Sequence, residues 1–234
     1  MRTPASLLAD LLAADPARPR VTFYDDAPGE TCGERIELSG KVLANWVAKA
    51  GNALQEELDA GPGTVVRLDL PGHWRALYWA LAAWSVGATV DLDGTIDADV
   101  TVTDDPERVP AGGEAVVVTL AALARSHPNP LPAGAMDEAR ELATYADAFS
   151  PWEAPGPRDR ALVAGGEHTA YDAVVPSPGW PAGARVLATG DLASVLRTAL
   201  AAWAVDGSVV LVREADPARM PGRLAAEGVT LDPR

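Results

Sequence analysis

Two carboxylates one residue apart, Asp91 and Asp93, end an apolar run in Val90-Asp91-Leu92-Asp93-Gly94-Thr95-Ile96. Carboxylates at the mouth of a strand are the residue types for magnesium-assisted phosphoryl chemistry. A further acid, Asp191, follows Thr189-Gly190 at the tip of another apolar run; an Asp before a helical stretch more often caps that helix. Gly165, Gly166 and Thr169 read as a hairpin turn followed by a Thr-capped helix. His73, His127 and His168 lack ligand spacing, so no zinc site is expected. His73, beside Trp74 at a helix start, reads as a cap or packing residue. The pairs Asp25-Asp26 and Asp104-Asp105 follow strands and are expected in solvated turns. Lysine occurs only at Lys41 and Lys49, so any chemistry needing an ammonium must use one of them.

The elements that must position these residues repeat. Residues 65–92 read as strand, turn, helix and strand, and 186–211 read as the same unit. At a constant spacing of 119, Leu77 meets Leu196, Leu81 meets Leu200, and Ala82-Ala83-Trp84 meets Ala201-Ala202-Trp203. Strands alternating with helices imply a mainly parallel sheet with right-handed crossovers. The helix from His73 to Val86 is apolar on all sides and must be covered by a second layer or by another subunit. Ser39 is placed to cap an amphipathic helix from Gly40 to Leu58. We expect a first α/β subdomain over 1–125, a Pro-rich connector over 126–160 with one helix, and a smaller α/β subdomain over 161–234.

Composition limits the partners. With 234 residues and 48% apolar content the chain can build a real core. A net charge of −14 argues against nucleic acid and against anionic membrane surfaces. Arginine outnumbers lysine seventeen to two, a bias of the high-GC, actinobacterial type. Cys32 stands alone and no apolar stretch reaches the ~20 residues of a membrane span, so a cytoplasmic location is expected.

The segments ERIELSGKVLANWVAKAGNALQEELDAGPGTVVRLDLP and WALAAWSVGATVDLDG resemble the N-terminal part of the AMP-forming adenylating enzymes, the acyl-CoA synthetase superfamily. The stretches PAGARVL, GSVVLV and DPARMPGRLAAEGVT resemble the part that follows. The resemblance implies two similar α/β subdomains with mainly parallel sheets. It also implies ATP-dependent formation of an acyl-adenylate, with a phosphate loop between the units. The stretch at that place, ALVAGGEHTAYDAVV, holds Gly165, Gly166 and Thr169 but no lysine. The family's later elements fall beyond this chain. The expected function is therefore a degenerate relative without adenylation, retaining a nucleotide or acyl small-molecule crevice near Leu70–His73, Gly165–Thr169 and Thr189–Asp191. Catalytic residues, metal and required cofactor are expected to be none, and the apolar helices permit a homodimer.

Two enzymatic readings compete. One is a residual adenylate-forming ligase. The other follows from VDLDGTI, which resembles the first motif of the haloacid-dehalogenase-like phosphatases. That resemblance implies Asp91 as nucleophile, Asp93 as general acid, Thr119 as second-motif hydroxyl and Asp191 as a magnesium acid.

Overall fold

A computed structural model of the chain, describing residues 2–233, contains two sheets with helices packed between and around them. The chain opens with α1 (Pro4–Ala14), whose Thr3 cap accepts from the Ser6 amide while the Ser6 hydroxyl returns the bond. A hairpin of β1 (Pro19–Asp25) and β2 (Arg35–Ser39) leads into α2 (Gly40–Asn52), capped by Ser39 through the Val42 amide and ending in a π turn, Ala53–Glu57. Then come β3 (Val65–Asp69), α3 (Trp74–Val86), β4 (Thr89–Asp91), β5 (Val100–Thr103) and β6 (Glu114–Val117). The connector supplies β7 (Met136–Asp137) and the single-turn α4 (Glu138–Glu141). The remainder is β8 (Arg160–Ala164), β9 (Glu167–Ala170), β10 (Arg185–Ala188), α5 (Leu192–Ala204), β11 (Ser208–Arg213) and α6 (Met220–Ala226).

Both sequence-similar stretches fold as parallel strand–helix–strand units. In the first, β3 and β4 pair directly, joined by α3; in the second, β10 and β11 pair, joined by α5. They belong to different sheets, ordered β7-β6-β5-β3-β4-β8-β9 and β10-β11-β1-β2. Strand membership cuts across the division expected along the chain. The N-terminal β1 lies parallel to β11, and β8 joins β4 as a neighbour. Strands pair where their apolar faces meet a common core, whatever their separation in sequence.

The layer between the sheets explains the uniform apolarity of α3. It packs on β3 and β4 on one side and on α1, α2 and α5 on the others. Trp79 and Trp84 are completely or almost completely buried, and the Trp84 indole donates to the Ala161 carbonyl at 2.8 Å. Cover for this helix therefore comes from within the chain. Its one charge, Arg75, is buried as well and pairs with the buried Glu138 at 2.9 Å, while the Tyr78 hydroxyl donates to the same carboxylate. Desolvation raises the Glu138 carboxyl above its ordinary range, and the Arg75 charge opposes that rise.

Three local expectations are corrected. Thr169 begins no helix; it lies in β9, paired with Leu162 of β8. Gly165 and Gly166 both adopt positive φ, which turns the chain straight back as a hairpin. The connector forms one helical turn at Glu138–Glu141 and a 3-10 turn, not one longer helix. Its following carbonyls are held instead by side chains of α2 and the π turn. Lys49 donates to Ala143 and Tyr145, Asn52 to Ala146 and Ala148, and Gln55 to Ser150. Asp25 and Asp26 are not solvated. Asp25 is buried against Arg213 at 3.0 Å, and Arg223 grips both oxygens of Asp26 at 2.7 and 2.9 Å.

Candidate functional site

The carboxyl ends of β3, β4 and β8 lie side by side, with β3 running two residues past its last pairing with β4, and the start of α5 faces them across a cleft of about 520 Å³. Ligands of open parallel sheets bind at this end of the strands, where loops are free to diverge. Asp69 and Leu70 contribute from β3, Leu92 and Asp93 from the β4 exit, Gly165 from the hairpin, and Asp191 and Arg197 from α5. The walls approach closely. A Cβ on Gly72 would lie 3.1 Å from the Gly190 carbonyl oxygen and 3.1 Å from a Val195 methyl, so any side chain here would push these neighbours aside by a few tenths of an ångström.

Asp91 lies beneath the cleft and is fully buried. Its Oδ2 accepts from Arg67 Nε at 3.1 Å and Nη2 at 3.0 Å, and its Oδ1 accepts from the amides of Asp93 and Gly94. Both oxygens are thus engaged in fixing the turn after β4. Asp93 points across to the hairpin: Oδ1 accepts from the Gly165 amide at 2.9 Å and Oδ2 from the Gly166 amide at 2.8 Å. The two glycine amides that could cradle an external anion hold this carboxylate.

Asp191 caps α5, accepting from the Ser194 amide at 2.8 Å, and the Ser194 hydrogen bonds hold its carboxyl below the ordinary range. Asp93, Gly165 and Asp191 therefore meet at the cleft, while Thr169 lines a smaller neighbouring recess of about 190 Å³. Thr119 does not join them. It follows β6, which β5 and β3 separate from β4. Among the described residues no group of three or more His, Cys, Asp or Glu is arranged to hold a metal ion. His73 caps α3 through Nδ1, which accepts from the Arg75 amide at 3.3 Å. Burial, reinforced by the charges of Arg75 and Arg213, keeps its imidazole neutral well below the usual range.

The residue that sequence reasoning missed is Arg197. It lines the main cleft, the recess, and an apolar groove of about 450 Å³ containing Trp180 and Leu187. No hydrogen bond or ion pair ties its guanidinium among the described residues. The signal was present, since Arg197 is the single charge within the apolar run of α5.

Comparison with known proteins places this arrangement. A TIGR03089 family protein of Mycobacterium tuberculosis (strain ATCC 25618 / H37Rv) is 36% identical over 255 residues, spanning 98% of this chain and 99% of the relative. The chain belongs to the TIGR03089 family. No family model matches it. Among solved structures, the N-terminal domain of FACL13 from Mycobacterium tuberculosis superposes with a TM-score of 0.71 at 12% identity, covering 99% of this chain and 62% of that one. Acyl-CoA synthetase of Brucella canis gives 0.72 at 17%, with 99% and 47% covered. An artificially fused adenylation–carrier didomain, NpsA-ThdA of Klebsiella oxytoca, gives 0.70 at 14%, with 99% and 43% covered. This TIGR03089 family chain thus has the fold of the N-terminal domain of acyl-CoA synthetases, and it spans 43–62% of the length of these solved neighbours. No helix of the described residues is long and apolar enough to cross a membrane.

Proposed function

We propose that this protein is a degenerate member of the AMP-binding superfamily that does not adenylate carboxylates and binds a nucleotide or acyl small molecule in the cleft beside α5. The observation that carries this reading is the Asp93 carboxylate on the Gly165 and Gly166 amides. The hairpin stands where the resemblance puts a phosphate loop, and its amides already hold an anion. A phosphate group entering there would meet a negative charge 2.8–2.9 Å from the donors it needs. No lysine lies within reach: Lys49 is engaged with the connector, and Lys41 stands two turns earlier on α2. Arg197, whose guanidinium makes no hydrogen bond or ion pair among the described residues, supplies a cation of the cleft near Asp191, placed to meet an anionic group of a ligand seated between Asp191 and the apolar groove.

Thermal-shift titration with ATP, AMP and an acyl-CoA, paired with carboxylate-dependent pyrophosphate exchange, tests this. The expected result is stabilisation by at least one ligand, lost in Arg197→Ala, with no exchange. Exchange above background would instead support a residual ligase. No shift at millimolar ligand would leave an interaction role as the better reading.

A further inference from the structure

A second groove lies between α1 and α2, away from the strand ends. It encloses about 310 Å³, at the lower edge of the range for small-molecule sites. Leu8 and Leu12 of α1 and Phe149 of the connector form apolar walls, and Ala44 and Ala48 of α2 form the floor. Its polar groups are few and unevenly placed. Lys41 stands at one end; its backbone amide donates to the Pro16 carbonyl, while its ammonium makes no ion pair or hydrogen bond among the described residues. Ala48 lies seven residues further along the same helix face, roughly 10 Å away at the helical rise. Asp147 also lines the groove, but its charge is matched by Lys49 at 3.0 Å. Asn45, one turn from Lys41, has a buried Oδ1 with no hydrogen-bond partner.

An unsatisfied buried carbonyl oxygen is costly, and a rotation of the Asn45 amide that brings this oxygen to a donor in the groove recovers that cost. An unpaired ammonium at the mouth of an apolar groove favours an anion locally, against the overall negative charge of the chain. We propose that this groove binds a small organic acid with an apolar ring body, its acid group at Lys41 and an N–H or O–H donor on the body facing Asn45. The site is independent of the cleft beside α5.

The probe 8-anilino-1-naphthalenesulfonate combines a sulfonate, one N–H and fused rings, and its fluorescence reports apolar burial. Titrating it into the folded protein is expected to give saturable binding at one site per chain. Lys41→Glu is expected to weaken binding at least tenfold, and Asn45→Leu about fivefold. Ala9→Phe, at an exposed position on the groove rim, is expected to block it, while Arg197→Ala leaves it unchanged. Absence of saturable binding by the unaltered protein overturns the proposal. So does equal binding by Lys41→Glu and Ala9→Phe variants whose circular dichroism shows them folded. Loss in Arg197→Ala alone would assign the probe to the other cleft and overturn it too.

Discussion

The carboxylate of Asp93 and the backbone amide of Gly166 are 2.8 Å apart, although 73 residues separate them in the chain. Together with the bond to Gly165, this ties the turn after β4 to the tip of the β8–β9 hairpin. Charge-assisted bonds contribute about 1.5–3 kcal/mol when buried and less at an exposed hairpin tip such as this one. Asp93→Ala is expected to raise hydrogen exchange at the Gly165 and Gly166 amides about tenfold while leaving exchange in α3 unchanged. Unaltered exchange at both glycines would show that the turn holds itself.

Asp91 gives a contrasting outcome. Its oxygens are committed to Arg67 and to two amides, so it is expected to act on stability and not on turnover. Asp91→Ala should lower unfolding free energy in urea by about 2–3 kcal/mol. Magnesium-dependent hydrolysis of a phosphomonoester should be absent in the unaltered protein. Hydrolysis that disappears in Asp91→Asn would establish the phosphatase reading.

Glu138 and Arg75 form a buried pair, and removing one partner leaves the other charge uncompensated. Glu138→Ala is expected to cost about 3–5 kcal/mol by chemical denaturation at neutral pH. The double variant Arg75→Met/Glu138→Leu should recover most of that loss. Equal destabilisation in both would mean that shape, not charge, sets the requirement.

Acid stability should depend on Asp26. Its hydrogen bonds from Arg223 hold its carboxyl at about 2, below the ordinary 3.8. A carboxyl depressed by folding stabilises the native state above its unfolded value, and this contribution disappears as pH falls from about 4 to 2. The full contribution is about 2 kcal/mol. Comparing melting temperature against pH for the unaltered protein and Asp26→Asn checks this: the variant should melt lower at pH 6, and the two curves should converge near pH 2.

Much of the fold was legible because the signals are local. Ser39, His73 and Asp191 cap helices at the positions their sequence context suggests, since a cap needs only its own next turn. The two βαβ units follow from apolar runs alternating with helical stretches. What escaped depends on distant partners. Thr169 looked like a helix cap because nothing beside it reports that Leu162 waits as a strand partner. Asp26 looked solvated because its counter-charge, Arg223, lies 197 residues on. In the cleft, Asp93 was visible as a carboxylate, but its target amides belong to a loop that only the folded sheet brings near. Arg197 carried a readable sign, a lone charge on an apolar helix, with no hint of where that helix would point.

The parallel pairing of β1 with β11 also constrains the birth of the protein. Arg213 and Asp25 meet across 188 residues, so β1 leaves the ribosome long before its neighbour β11 is made. At about 5–20 residues per second, β1 waits on the order of ten seconds or more with an apolar edge unpaired. Long-range strand pairing is intrinsically slow. The nascent N-terminal hairpin is therefore the segment most exposed to chaperones, and to aggregation, before the molecule closes.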